Sequence, residues 1–187
     1  PLRRQRQMCI RDRDLEASEI EVRLGATWLD KKYIEQFMYE TFETPRYLRG
    51  QIEISYVPYT AEWQVSRKSM VRYNDVAAFT TYGTDRASAY RLLEDALNLR
   101  DIRIYDTIED ADGRERRVLN AKETTLAAQK QQLIRDAFKD WIWKDPERRE
   151  TLVRQYNEEM NSTRPREYDG SHIVFSGMNP EITLREH

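Results

Sequence analysis

A single long segment in the C-terminal half constrains the fold of this 187-residue chain more than any other. Asn120 followed by Glu123 has the spacing of a capping box, which marks the N-terminus of a helix. Apolar residues then recur at steps of three, four and seven, the period of a helix with one buried face. They are Leu126, Leu133, Ile134, Ala137, Phe138, Trp141 and Ile142. The pattern predicts a helix over 121–143 whose apolar stripe packs on a core.

Three other helices are expected. Asp145-Pro146 is a capping residue followed by proline at the first helical position, which predicts a second C-terminal helix over 146–160. Helical periodicity also predicts a helix over 30–43, and Thr84 is expected to cap another over 85–98. The helix over 30–43 would bury Tyr33, Ile34, Phe37, Met38 and Phe42.

Alternating apolar and polar residues predict four strands, near 20–24, 52–57, 62–66 and 102–106. Pro58 and the polar residues after it indicate a turn between the second and third strands. Arg117 to Leu119 could return as a hairpin partner of the fourth. The predicted fold class is therefore α+β, with a small, mostly antiparallel sheet covered by helices. The long C-terminal helical pair would pack alongside this core or project from it.

Residues 3–12 read RRQRQMCIRD. As protein, such a basic arm could bind nucleic acid or act as a localisation signal. The stretch resembles the conceptual translation of a transposase-type sequencing adapter, CGT CGG CAG CGT CAG ATG TGT ATA AGA GAC. We therefore interpret residues 1–13 as adapter-derived and set them aside when reasoning about the fold.

Charge and composition exclude several classes of protein. The chain has 31 Lys and Arg against 33 Asp and Glu, and residues 1–13 hold five of the basic residues and one of the acidic ones. Residues 14–187 thus carry 26 basic and 32 acidic groups, a net charge of −6. One cysteine excludes a disulfide scaffold. With only two histidines in addition, the chain has too few of the usual ligands to make a zinc site expected. No apolar run exceeds about four residues, whereas a membrane span needs about 20, so we expect a cytoplasmic protein without membrane contact.

An acidic average field repels phosphates, so any affinity for DNA must come from local basic patches. The candidate DNA-contact residues are Arg46, Arg49, Arg67, Lys68, Arg164 and Arg166. A solvated surface is the alternative interpretation of each. His172 lies near Glu167 and Asp169, which is compatible with acid–base catalysis, although a lone histidine beside a strand is more often structural.

Four segments together carry a resemblance. They are EIEVRLGATW (19–28), TYGTDRASAYRLLEDALNLRD (81–101), KETTLAAQKQQLIRDAFKDWIW (122–143) and REYDGSHIVFSGMNPEITLREH (166–187). The combination resembles the region between two enzymes in very large bacterial proteins of phages and conjugative elements. Those proteins fuse an adenine-specific DNA methyltransferase to a superfamily-two, Swi/Snf-like helicase. The resemblance covers essentially all of residues 14–187.

The resemblance implies a connector. In that family the methyltransferase, with its Asn-Pro-Pro-aromatic motif, lies upstream, and the glycine-lysine phosphate loop of the helicase follows soon after a segment like TLREH. Neither motif occurs in this sequence, so we expect no cofactor in the fragment, while the parent would use ATP with Mg and S-adenosylmethionine. The resemblance also implies a truncated reading frame, with a connector domain over 14–163 and a lead-in to the helicase motor over 164–187.

The C-terminal residues carry a narrower implication. Helicases of this type read adenine with an Arg-aromatic-Gln or Arg-x-His-Gln element just before the phosphate loop. Leu184-Arg185-Glu186-His187 matches the approach to that element. The resemblance thus implies that Arg185 and His187 lie near the adenine pocket of the parent, with Phe175 packed beside it.

Two functions of different classes follow from the sequence. The first is a non-catalytic connector that positions the methyltransferase against the helicase motor and guides DNA through weak, non-specific contacts. The alternative is a protein–protein interaction module whose acidic helical face binds another protein without touching DNA. Whether to class the chain as an enzyme stays open, and a stand-alone hydrolase built on His172 is the weakest of the hypotheses.

Overall fold

The computed structural model describes residues 13–72, 75–109 and 113–161, and these form an α+β fold, as the sequence predicts. In chain order the elements are α1 (Lys31–Thr41), β1 (Ile54–Val57), β2 (Glu62–Val65), α2 (Ala89–Leu97), β3 (Tyr105–Glu109), β4 (Glu115–Leu119), α3 (Ala121–Lys144) and α4 (Pro146–Glu159). A 3₁₀ turn over Lys68–Met70 and a short π-helix over Ala77–Thr81 lie between β2 and α2. The strands pair antiparallel, β1 with β2 and β3 with β4.

Helix α1 supplies one wall of the core. Its N-cap is Asp30, whose Oδ1 accepts a hydrogen bond from the backbone N–H of Lys32 at 2.9 Å. The predicted apolar face is confirmed, because its five members lie at helical spacing and are all buried. They are Tyr33, Ile34, Phe37, Met38 and Phe42. The first hairpin packs against this helix and against α2.

The prediction of one sheet is wrong in detail, because the described strands form two separate hairpins. Residues 20–24 show the expected alternation, with Ile20, Val22 and Leu24 buried, but the segment pairs with no strand in the described part of the chain. Ile102 and Ile104 are likewise buried ahead of β3. Alternating burial thus indicates that a segment is extended and packs one face on the core. It does not indicate that the segment pairs with a neighbouring strand.

The start of α3 occupies the backbone groups that a fourth strand would have used. Ile104 N–H donates to Thr124 Oγ1 at 3.0 Å, and Ile104 O accepts from the backbone N–H of Asn120 at 2.9 Å. The Asn120 cap is confirmed, since its Oδ1 accepts from Glu123 N–H at 3.0 Å. These bonds tie the base of the second hairpin, β3–β4, to the N-terminus of α3.

The buried stripe of α3 is displaced from the predicted one. Its buried members are Ala127, Gln131, Ile134, Phe138 and Ile142. Leu126 and Leu133, predicted to lie in the core, are 41% and 43% exposed. The apolar pattern does not predict the burial of Gln131, because glutamine is polar. Its amide can be buried because Nε2 donates a hydrogen bond to Arg100 O at 2.8 Å.

The second C-terminal helix begins as predicted. Asp145 Oδ1 accepts from Arg148 N–H at 2.7 Å, with Pro146 in the first turn. The Arg148 guanidinium turns back to donate to the Ile142 carbonyl at 3.0 Å and lies 3.6 Å from the centre of the Trp141 ring. Arg148 therefore satisfies a carbonyl at the end of α3 that the helix itself cannot.

Two asparagine side chains act as substitutes for a neighbouring strand. Asn98 accepts from Trp63 N–H and donates to Trp63 O, both at 2.8 Å, which joins β2 to the end of α2. Asn157, 2% exposed, accepts from Leu15 N–H at 2.8 Å and donates to Leu15 O at 2.9 Å. Arg13, which the sequence assigns to the adapter-derived stretch, bonds to the turn after α4, because its carbonyl accepts from Asn161 Nδ2 at 2.9 Å.

Tyr90 gives the core a pH dependence. Its ring is fully buried and its hydroxyl lies 2.7 Å from Thr44 Oγ1. Burial raises the pKa of Tyr90 to about 12, and the Thr44 hydrogen bond opposes part of that rise. Because the folded pKa lies above the unfolded value of about 10, the stabilisation is complete below pH ~10 and is lost as pH rises towards ~12.

We expect the free energy of unfolding to fall by about 2–3 kcal/mol over that interval from this group. Urea unfolding measured at a series of alkaline pH values tests this, with Tyr90→Phe as the control that removes the ionisable hydroxyl. Identical alkaline profiles for the two proteins would contradict the assignment.

Candidate functional site

Four arginines line one open cavity where the β3–β4 hairpin leaves the helical core. The cavity has a volume of about 200 Å³, and Ile104 and Tyr105 complete its lining. The arginines are Arg86, Arg91, Arg103 and Arg117. They come from four elements: the turn before α2, the first turn of α2, the segment before β3, and β4. All four are exposed, and we refer to this site as the arginine cavity.

A tight turn places Arg86 at the base of the hairpin. Thr84 N–H donates to Ala87 O at 2.8 Å, and Thr84 Oγ1 accepts from Ala87 N–H at 3.1 Å. Thr84 therefore closes a turn instead of capping the helix as predicted, and α2 begins only after Ser88. From this turn the Arg86 guanidinium donates to Tyr105 O at 3.0 Å.

Arg103 and Arg117 reach the cavity through extended backbone. Arg103 lies between Ile102 and Ile104, each 3% exposed, so alternation directs its side chain away from the core. In the hairpin, Tyr105 pairs with Leu119, two residues from Arg117. The Arg117 guanidinium lies 4.8 Å from the centre of the Tyr105 ring, a cation–π contact at the cavity wall.

The charge of the cavity is only partly balanced. Asp106 forms an ion pair with Arg86 at 2.8 Å. The pKa of the Asp106 carboxyl is lowered from its usual value, mainly by a hydrogen bond from Asn120 and to a smaller extent by one from Arg86. Burial raises the pKa of Asp95, and the nearby charge of Arg91 opposes that rise. Within the described residues, Arg103 and Arg117 have no carboxylate within ion-pair distance.

This arrangement suits an anion. A guanidinium presents planar, fixed N–H donors that match the oxygens of a phosphate or carboxylate, and it keeps its charge at all physiological pH values. Two uncompensated guanidinium groups beside an aromatic ring can hold a phosphate at the mouth of the cavity. The Tyr105 ring adds a flat surface next to that charge.

The structure places the predicted DNA-contact residues in different settings. Arg49 donates through Nε to Thr44 O at 2.9 Å and lies against the Tyr39 ring, and Lys68 forms an ion pair with Glu94. Arg46 and Arg67 are exposed and form no ion pair among the described residues. Two of the four are thus engaged within the fold, and their contact with DNA stays a prediction.

The remaining predicted residues lie outside the described residues. They are Arg164, Arg166, Phe175, Arg185 and His187, as well as His172. Sequence reasoning missed the arginine cavity because its members are scattered over four segments. The signal that could have found Arg103 is its position between two isoleucines with strand alternation.

Across the described ranges, no cluster of histidine, cysteine and acidic side chains has a geometry that could hold a metal ion. None of the helices described there has both the length and the apolar character needed to cross a membrane.

The chain belongs to a family of domains of unknown function, DUF8437, whose family model matches residues 23–162. The matched range includes both hairpins, all four helices and the four arginines of the cavity. Neither the curated proteins nor the solved structures contain a match to this chain.

Proposed function

We propose that this chain is a non-catalytic connector domain of a DNA-processing protein and that the arginine cavity contacts the DNA backbone. The observation that carries the proposal is the convergence of four guanidinium groups on one open cavity, two of them without a carboxylate partner among the described residues. Phosphate oxygens are the common targets of arginine in DNA-binding proteins. The cavity therefore meets one or two phosphates at the base of the second hairpin.

The contact is weak and independent of sequence. The four arginines belong to a turn, a helix start, an extended segment and a strand, so they do not form the row on one helix that reads bases in the major groove. The net charge of −6 over residues 14–187 repels the DNA backbone outside the cavity and therefore limits the number of phosphates that the domain can contact. Phosphate contacts of this kind position a protein on DNA without reading bases.

The proposed setting is a cytoplasmic protein of a phage or conjugative element. There the domain joins an adenine-specific DNA methyltransferase to an ATP-dependent, superfamily-two helicase, both of them parts of the same polypeptide. The parent uses S-adenosylmethionine and ATP with Mg. What supports this setting is the combination of sequence motifs, one of which, residues 81–101, contains Arg86 and Arg91.

Replacing Arg103 and Arg117 together with glutamine is expected to weaken DNA binding by about tenfold or more at low ionic strength, because each lost phosphate contact to a charged group costs about 1.5 kcal/mol. Fluorescence anisotropy with a short duplex and with a single strand measures the effect. The matched control pair, Arg149→Gln with Arg154→Gln, removes the same charge from exposed positions of α4 outside the cavity and is expected to have a smaller effect.

Equal losses for the two pairs would assign the binding to overall charge and contradict the role of the cavity. No binding by the unsubstituted chain even at low salt would favour the alternative function, a protein–protein interaction module without DNA contact.

A further inference from the structure

A second cavity lies between the segment before α1, the end of α2 and the middle of α3, away from the arginine cavity. Its volume is about 200 Å³. Leu24, Ala96 and Leu99 supply its apolar surface. Gln132 and three cationic side chains, Arg23, Arg135 and Lys139, complete the lining. We call it the leucine cavity, because Leu99 is the most exposed of its apolar lining residues.

Leu99 is held in a conformation that leucine rarely adopts. It follows Asn98, the C-cap of α2, and has a φ of 55°, in the left-handed region where glycine is the usual residue. The turn is fixed by hydrogen bonds from Leu99 N–H to Ala96 O at 3.2 Å and from Arg100 N–H to Asp95 O at 2.8 Å. An L side chain at this position costs stability that glycine would not.

Packing of the Leu99 side chain contributes little to the stability of the fold, because the residue is 73% exposed. A large apolar residue that is both strained and exposed therefore does not serve packing within the described chain. Such a combination points to a role at a binding surface, where the side chain becomes buried against a partner.

The rim of the leucine cavity is positive in an otherwise acidic protein. Arg135 and Lys139 lie one turn apart on α3, and neither forms an ion pair with any described residue. Among the described residues, Arg23 forms an ion pair with Glu21 at 3.7 Å, and both side chains are at least 70% exposed. The lining residues themselves contain no carboxylate.

We propose that the leucine cavity docks an acidic segment of another protein, which inserts one apolar side chain beside Leu99. Carboxylates flanking that side chain then face Arg135 and Lys139. The charge complementarity favours a partner of opposite sign, and the apolar floor favours a peptide over a nucleic acid. This docking is separate from the proposed DNA contact and does not depend on it.

The test is an NMR titration of the full ¹⁵N-labelled chain with three synthetic helical peptides, carried to millimolar concentration. The first peptide has a single leucine flanked by glutamates, the second replaces that leucine with serine, and the third replaces the glutamates with lysines. We expect the first to shift the amide signals of Leu99, Arg135 and Lys139, with the other two binding at least about tenfold more weakly.

Two variants separate docking from folding. Leu99→Gly is expected to abolish the shifts while leaving the midpoint of thermal unfolding unchanged or raised by roughly 2–4 °C, because the left-handed strain is relieved. The matched control, Leu133→Gly, removes an exposed leucine of α3 that does not line the cavity; it costs helix stability and should leave binding of the folded protein unchanged. Arg135→Glu should weaken binding of the first peptide and strengthen binding of the third.

Equal binding of all three peptides, no binding of the glutamate–leucine peptide, or full binding by Leu99→Gly would each overturn the proposal. Sedimentation of the unliganded chain provides a further check. Self-association at micromolar concentration that is lost in Leu99→Gly would also overturn it, because the occupant would then be a second copy of this chain.

Discussion

Replacing Phe138 with alanine is expected to lower the free energy of unfolding by about 3–5 kcal/mol. Phe138 is fully buried in the stripe of α3, and its ring meets that of Phe37 edge to face with 5.1 Å between centroids. The substitution removes both the transfer free energy and this aromatic contact, and it leaves a cavity between α1 and α3. Urea unfolding followed by circular dichroism measures the loss.

The matched control is Leu133→Ala on the same helix. Leu133 is 43% exposed, so we expect a cost of less than about 1 kcal/mol. The comparison also distinguishes the observed phase of α3 from the one that the apolar pattern predicts, in which Leu133 would be a core residue. Replacing a buried leucine with alanine costs about 2 kcal/mol or more. A loss of that size for Leu133→Ala would contradict the exposed position of Leu133 on α3.

Asn157→Ala is expected to destabilise the fold by about 2–4 kcal/mol. The buried amide makes two hydrogen bonds to Leu15 and a third to Val153 O at 3.0 Å. Alanine would leave the Leu15 backbone groups without their partner against α4, and each unsatisfied group costs about 1–3 kcal/mol. The expected signature is a local one as well: the Leu15 amide should exchange its hydrogen faster in the variant.

Glu158→Ala is the control for this prediction, because Glu158 is the next residue of α4 and is exposed. Its cost should stay within about 0.5 kcal/mol. If Asn157→Ala and Glu158→Ala were equally stable and the Leu15 exchange rate did not change, the N-terminal segment would not be anchored by this side chain.

The helices could be predicted from the sequence because their signals are local. Asn120 and Asp145 cap α3 and α4 through bonds to residues three positions on, and such spacing is visible without the fold. The phase of α3 could not be obtained fully in this way. Gln131 is buried because Arg100, 31 residues away along the chain, offers a carbonyl to its amide, and no local pattern contains that partner.

The sheet was harder to predict because strand pairing is not local. Residues 20–24 and 102–104 alternate in burial as β2 does, yet the backbone of Ile104 bonds to Asn120 and Thr124. The predicted pairing of 52–57 with 62–66 and the predicted return of 117–119 beside the fourth strand are both confirmed. Alternation does not show that residues 20–24 lie outside a sheet or that the two hairpins stay separate.

The candidate site could not be predicted from the sequence for a similar reason: its residues are far apart along the chain. Arg86 and Arg117 meet at one cavity only because the hairpin brings β4 beside the turn that precedes α2. The sequence instead favours basic residues that lie close together along the chain, Arg46 with Arg49 and Arg67 with Lys68. The structure shows that one member of each pair, Arg49 and Lys68, is engaged within the fold. Proximity in sequence is a poor guide to which charges remain available to a ligand.

Phosphate contact by the arginine cavity can be measured from the salt dependence of DNA affinity, for the unsubstituted chain and for the Arg103→Gln, Arg117→Gln variant. For duplex DNA the logarithm of the binding constant falls with the logarithm of salt concentration by about 0.9 per phosphate contacted. We predict that the variant line is shallower by roughly 1–2, because the cavity contacts one or two phosphates. Parallel lines for the two proteins would contradict the claim that the arginine cavity contacts the DNA backbone.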